Sequence, residues 1–259
     1  MTRLLSGVVL AVTAVAAILV LPLVGIRVLG VIVALLAAHE YLKVAAHGSA
    51  GTRSAPVPLP VLLVVAATCW YMLRPGPLTV AALVLLAFGW LVVDVLFLGL
   101  SVPDAAVRFL APWYIGMPIG MLVSVQGTHG PRAALLLLAT VVVSDSAQYY
   151  TGRAFGRRPL APVISPKKTI EGALGGVIFG TVFMAMAGPR ILPGTAPAPM
   201  AALGVVIVVL GICGDLFESR LKRSSGIKDS SALIPGHGGV LDRIDALLFA
   251  TPAFYLFLR

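Results

Sequence analysis

The chain has 259 residues, 59% of them hydrophobic and only 11% charged, with a mean hydropathy of +1.02; an ordinary soluble domain carries roughly 25% charged residues. No single soluble core could bury so much apolar sequence, so a globular soluble protein is excluded and a membrane protein is expected. The formal net charge of +9 sits in loops, which points to anionic headgroups and a polyphosphate ligand rather than to nucleic acid.

Apolar runs separated by Gly, Pro and charge clusters predict an all-α polytopic integral membrane protein of about nine transmembrane helices, at roughly 4–25, 28–46, 57–73, 77–99, 106–126, 132–151, 172–191, 199–221 and 241–258. The first run follows Arg3 as a secretory leader would, but it is too long for a leader's apolar region and lacks a polar cleavage segment, so a retained span is expected. Pro112 and Pro118 interrupt the fifth. Stretches 48–60 and 193–199 read as loops of turn-forming residues, and no internal repeat of the transporter kind is present. Cys69 and Cys213 lie in apolar runs without partners at metal-ligand spacing and read as packing residues. The organisation expected is a set of N-terminal spans over 1–130, serving as scaffold, dimer contact or lipid gate, and a catalytic membrane region over 131–259.

With helix ends numbered alternately, fourteen of the nineteen basic residues fall on one side and five on the other. The positive-inside rule then puts the N-terminus and the richer loops in the cytoplasm and the C-terminus outside a cell membrane. Acidic residues are fewer, ten in all, and seven of them lie in the last 115 residues. Of the other three, Glu40, Asp94 and Asp104, Asp94 reads as an interhelical contact within a span, and Glu40 likewise reads first as structural.

The polar residues form three groups. In GDLFESRLKR (214–223), a continuing helix sets Asp215, Glu218, Ser219 and Lys222 at i, i+3, i+4 and i+7 on one face. A solvated helix end with local ion pairs is the plain alternative, against which stands the cost of Asp215 near the apolar core. In the loop that follows, Gly238 and Gly239 let backbone N–H groups approach an anion, and Asp242 and Asp245 share a face of the next helix. Carboxylates in that number, with Lys and Arg beside them, suit Mg²⁺ held jointly with substrate phosphates. His237 is open to three roles, ligand, acid or backbone anchor, of which the anchor is favoured. The third group is SPKKTIEGALGG (165–176), where Lys167, Lys168 and Thr169 precede a helix N-terminus near Glu171, as in a phosphate-binding loop. Asp145 and Gln148 lie one turn apart in the preceding span. Gly172, Gly176 and Gly180 recur every fourth residue, which predicts close helix packing.

The run from Ser219 to Asp245 resembles the signature of membrane CDP-diacylglycerol synthases, or phosphatidate cytidylyltransferases: S-x-x-K-R-x-x-x-x-K-D, a spacer, then P-x-H-G-G-x-x-D-R-x-D. SRLKRSSGIKD and PGHGGVLDRID satisfy it at every fixed position, and GDLFES and SPKKTIEGALGG look like further motifs of the same family. One departure is Gln148 before Tyr149, where a small residue is expected. The resemblance implies transfer of a cytidylyl group from CTP to phosphatidic acid in phospholipid biosynthesis, by a homodimer using Mg²⁺ and a second, monovalent cation such as K⁺. It further implies that Asp215 and Asp242 are metal ligands, with Glu218 and Asp145 as additional candidates. Lys222, Arg223, Lys228 and His237 join these two aspartates as candidate catalytic residues. Lys167, Lys168, Thr169, Ser219, Gly238, Gly239 and Arg243 are the candidate phosphate contacts, and Asp229, Asp245 and Glu171 orient the cations from behind.

Two other readings compete. An anion transporter would spread its charges through mid-membrane and often repeat its halves. A CTP-dependent polyprenol-type kinase, or another lipid-phosphate nucleotidyltransferase, would share the polar chemistry and differ in the lipid and in the group transferred.

Overall fold

The computed structural model describes residues 2–47, 63–69, 77–227, 229–231 and 238–259. The chain is an all-α polytopic membrane protein: helices α1 (Thr2–Val20), α2 (Leu23–His47), α3 (63–69), α4 (Pro77–Leu96), α5 (Val102–Ala111), α6 (Met117–His129), α7 (Pro131–Phe155), α8 (Ile170–Ile191), α9 (Pro197–Ser224) and α10 (Leu241–Phe257). Among the described residues five helices are long and apolar enough to cross a membrane: Leu23–Ala45, Val102–His129, Pro131–Phe155, Ile170–Ile191 and Pro197–Ser224. Shorter apolar helices cover Gly7–Val20 and Val80–Leu96. Of the span expected at 57–73, only 63–69 lies within the described residues.

The residues group into two compact units. The first comprises Met1–Ala17, Leu21–Ser124 and Leu221–Arg243, the second Ile18–Val20, Val125–Arg220 and Ile244–Arg259.

In the first unit, α2 buries Ala34, Ala37, Ala38, Tyr41 and Val44, the three-and-four spacing of one helix face. The Tyr41 hydroxyl donates to the Val107 carbonyl at 3.2 Å, and its ring packs on Tyr114 at 5.4 Å. Ser101 caps α5 by accepting from the Asp104 N–H. Pro112 has no N–H to give the preceding turn, and the chain widens into a π-turn over Pro112–Gly116 before resuming as α6. The fifth predicted span is thus one path with a wide turn in it. Asp94, fully buried on α4, pairs with Arg108 of α5 at 3.3 Å, the interhelical contact its position suggested.

In the second unit, α8 explains itself by its two faces. Gly172, Gly175, Gly176 and Gly180 are buried, while Leu174, Ile178, Phe179, Val182 and Met186 are exposed. A Cβ on Gly172 would lie 2.8 Å from the Gln148 carbonyl of α7, and Gly176 faces the Gln148 side chain. Small residues let the two backbones approach, and the large apolar residues are left for lipid. The same device joins α8 to α9, where a Cβ on Gly204 would stand 3.0 Å from the Thr181 Cα.

One element was not expected. The stretch between α7 and α8, read as a basic, proline-rich loop, contains a two-stranded antiparallel hairpin, β1 (Pro159–Ala161) and β2 (Ser165–Thr169). Its strands are too short and too proline-rich for alternation to be read from sequence.

Candidate active site

The two units each carry an aspartate paired with a lysine, and each is assembled differently.

In the second unit, Glu171 in the first turn of α8 reaches back to the end of α7. Its Oε2 accepts the backbone N–H of Arg157 at 3.0 Å and of Arg158 at 3.2 Å, and Oε1 takes Arg158 Nε at 3.1 Å. That closes the loop leading into the hairpin, where Pro159 pairs with Thr169. Successive residues of β2 point to opposite faces, so the two lysines separate: Lys167 is exposed, and Lys168 is half-buried in an ion pair with Asp215 of α9. The other Asp215 oxygen accepts from Ser219 Oγ at 3.3 Å, one turn on. Asp145 on α7 accepts from Gln148 Nε2 at 3.0 Å and lies within electrostatic reach of both Lys168 and Asp215. Thr169 is the N-cap of α8, its hydroxyl accepting from the Gly172 N–H at 3.1 Å, so its oxygen holds the helix start. Gly214 lets α9 approach the Asp245 carbonyl of α10, with Phe217 and Phe249 packed at 5.5 Å below. Glu218 is buried.

In the first unit, Asp242 on the first turn of α10 has its two oxygens divided between tasks. Oδ2 accepts from the Gly239 N–H at 2.7 Å, Ser230 Oγ at 2.8 Å and the Ser230 N–H at 3.0 Å. Oδ1 faces Lys222 Nζ at 2.6 Å. Three donors fix the carboxylate, and the remaining oxygen is presented to a cation. Gly238 has φ +76°, a left-handed conformation that favours glycine. A Cβ on Gly239 would run into Ser230 and Glu40. Arg223 donates to the Ile227 carbonyl at 3.3 Å and, like Arg243 and Asp229, is exposed. Lys228 and His237 lie outside the described residues.

Sequence reasoning missed Glu40 as part of this group. Its carboxylate, buried on α2, accepts from the Val240 and Leu241 N–H groups and from Ser230 and Ser231 Oγ. The N–H groups that the glycine loop was expected to aim at a phosphate are, from Gly239 to Leu241, held by two carboxylates of the chain itself. The available signal was the cost of an acid inside an apolar span; its partners, 190 and more residues away, carry no periodicity that points to it.

These donors suit the metal that the resemblance implies. Among the described residues no three of His, Cys, Asp and Glu gather, so a cage built from the described residues is not what is on offer. Mg²⁺ is commonly bound by one or two carboxylates with phosphates and water completing its shell. Asp242 Oδ1 and the carboxylates of Asp215 and Asp145 are hard oxygen donors of that kind.

A membrane-embedded helical protein with two carboxylate–lysine pairs, one between the end of α9 and the start of α10 and one between the hairpin and α9, is the class this architecture defines. The chain matches the cytidylyltransferase family over residues 1–259 and belongs to it. It is similar to the phosphatidate cytidylyltransferase of Haemophilus influenzae, 46% identical over 138 residues, covering 50% of this chain and 48% of that one. The phosphatidate cytidylyltransferase of Pseudomonas aeruginosa is 38% identical over 190 residues, 69% of each chain. An uncharacterized Escherichia coli protein, YnbB, is 43% identical over 150 residues, 58% of this chain and 48% of its own length. The matched stretches thus span about half the length of the first and third of these relatives.

Proposed function

We propose that the chain is a phosphatidate cytidylyltransferase. A phosphatidate oxygen attacks the α-phosphorus of CTP, a new P–O–P bond forms as the bond to the β-phosphate breaks, and CDP-diacylglycerol and pyrophosphate result. The observation that carries the reading is the pair of aspartate–lysine contacts, Lys168 with Asp215 and Lys222 with Asp242, in a chain of this family.

The nucleophile needs little activation, because a phosphate monoester with a second pKa near 6 is largely dianionic at neutral pH. The obstacle is repulsion between that dianion and the triphosphate. Asp242 in the first unit, and Asp215 with Asp145 as a further donor in the second, would each offer carboxylate oxygens to Mg²⁺, which when bound neutralises phosphate oxygens and aligns the attacking and leaving groups. Lys168 and Lys222 stand at the two aspartates, ready to exchange carboxylate for phosphate as substrate arrives. Lys167, Arg223 and Arg243 are exposed and meet the outer phosphates or the lipid headgroup. Three hydrogen bonds to Asp242 Oδ2 keep Oδ1 aimed at its cation, so substrate finds the site pre-oriented.

The fourteen-to-five division of basic residues supports a cytoplasmic N-terminus and site in a cell membrane. There CTP arrives from water and phosphatidate from the bilayer. The resemblance extends the reading to a homodimer and to a monovalent cation such as K⁺.

The test is incubation of the purified protein with phosphatidate vesicles and CTP labelled at either the α- or the γ-phosphate, with and without Mg²⁺. Metal-dependent α-label in chloroform-extractable lipid, with labelled pyrophosphate from the γ-labelled nucleotide, is the expected result. γ-Label in the lipid would replace the reading with a kinase.

A further inference from the structure

Helix α10 begins at Leu241 without a capping side chain of its own, since Val240 before it is apolar. The first N–H groups of a helix need acceptors. Here those of Val240 and Leu241 are taken at 3.1 and 2.8 Å by the two oxygens of Glu40, which lies 200 residues earlier in α2. The same two oxygens each accept one hydroxyl from the turn before α10, Ser231 Oγ on Oε1 at 2.6 Å and Ser230 Oγ on Oε2 at 3.2 Å. The one Ser230 hydroxyl hydrogen is shared between Glu40 Oε2 and Asp242 Oδ2, the latter at 2.8 Å, and the Ser230 N–H donates to Asp242 Oδ2 at 3.0 Å. The carboxylate of an N-terminal span therefore fixes both flanks of Asp242, the serine turn on one side and the helix start on the other.

We propose that Glu40 is a positioning residue for Asp242, setting the orientation in which Asp242 Oδ1 meets its cation. The proposal rests on the reading of Asp242 as a metal ligand given above. It gives the buried acid of α2 a part in the metal site beyond that of scaffold. Its charge also lies at the positive end of the α10 dipole, where a carboxylate is stabilising.

The pattern of acceptors makes a specific prediction. A hydroxyl can turn from donor to acceptor, but a backbone N–H cannot. Each Glu40 oxygen accepts one backbone N–H, so a glutamine in either orientation sets its amide donors against Val240 or Leu241. Glu40→Gln is therefore a disruptive substitution despite its shape, whereas Glu40→Asp keeps two acceptor oxygens on a shorter stem. For Glu40→Gln the Mg²⁺ concentration for half-maximal turnover is expected to rise, and kcat to fall, by about 10- to 100-fold, the usual effect of losing a group that orients a metal ligand. KM for phosphatidate is expected to stay within about threefold, and Glu40→Asp to recover part of the loss.

Hydrogen exchange over 238–245, measured on the full-length protein in detergent without nucleotide, supplies a readout independent of turnover. Faster exchange at Val240 and Leu241 in Glu40→Gln than in the wild type is expected. If the wild type itself transfers no cytidylyl group, the functional reading fails, and the exchange data still report whether Glu40 holds the start of α10. A Glu40→Gln protein with wild-type Mg²⁺ dependence and wild-type kcat overturns the proposal, as does a loss of activity explained wholly by a lowered melting temperature. Should Glu40→Gln not fold, Ser231→Ala takes the 2.6 Å hydroxyl from Oε1 and leaves both backbone donors on Glu40; a raised Mg²⁺ requirement at unchanged melting temperature supports the proposal, and an unchanged requirement overturns it.

Discussion

Glu40 and Glu171 do the same local job in the two units, each collecting backbone N–H groups beside an aspartate–lysine pair, yet they are built on different scales. Glu171 takes partners 13 and 14 residues back along the chain. Glu40 takes partners 190 to 201 residues ahead. The first closes as soon as α7, the hairpin and α8 have formed; the second requires the N-terminal spans to be in place before α10 has a fixed start. The lysine pairs differ in the same sense. Lys222 and Asp242 have side chains 12% and 5% exposed, against 21% and 35% for Lys168 and Asp215. The first unit thus holds its aspartate in a drier setting, and the second leaves it more open to solvent.

The most severe break is at the aspartates themselves. Asp242→Asn and Asp215→Asn are each expected to lower kcat/KM by at least about 10³-fold, more than loss of a single hydrogen-bond donor to a transition state costs. Asp215→Asn should retain the wild-type melting temperature within a few degrees, because the Ser219 hydroxyl can turn to meet an amide, whereas Asp242→Asn sets an amide against Lys222 or against the donors on Oδ2 and is expected to lower it. Activity close to wild type in either variant, in the α-labelled CTP assay, would remove that residue from the metal site.

The lysines sharpen the comparison. Removing one member of a desolvated pair leaves a buried charge uncompensated, whereas an open pair is screened by water and salt. Lys222→Met is accordingly expected to reduce turnover by about 10- to 100-fold, and Lys168→Met by about tenfold or less. Raising salt should erode the residual difference more for the Lys168 pair than for the Lys222 pair. Equal losses with equal salt dependence would mean that phosphate contact, rather than the setting of the aspartate, governs both.

Much of this was legible in the sequence, and the illegible parts have physical causes. Apolar run length located the helices, since a hydrocarbon core imposes it directly. The glycine spacing of α8 reported its packing face because helical periodicity is a local property. Asp215, Asp242 and Lys222 stood out because charges are expensive beside apolar spans. The pairing of Lys222, expected at a phosphate, with Asp242 was not visible, and neither was the separation of Lys167 from Lys168, which depends on a five-residue strand. The role of Glu40 lay furthest out of reach. Its four donors come from two stretches of loop and helix end that meet it only through tertiary folding.

The smallest expected effect is the one that tests whether the two glutamates differ in kind. Glu171 Oε2 holds the backbone N–H groups of Arg157 and Arg158, while Oε1 meets the side chain of Arg158, which is largely exposed. A glutamine can keep its carbonyl oxygen on both N–H groups and turn its amide toward Arg158, which swings into water at little cost. Glu171→Gln should therefore leave the loop closed: trypsin cleavage after Arg157 is expected to rise by about fivefold at most, and turnover to change by less than about threefold. At Glu40 no orientation of an amide avoids a donor-against-donor contact, so the same substitution is damaging there. If Glu171→Gln proves as harmful as Glu40→Gln, the geometry of acceptors is not what separates them, and the negative charge alone is what both sites require.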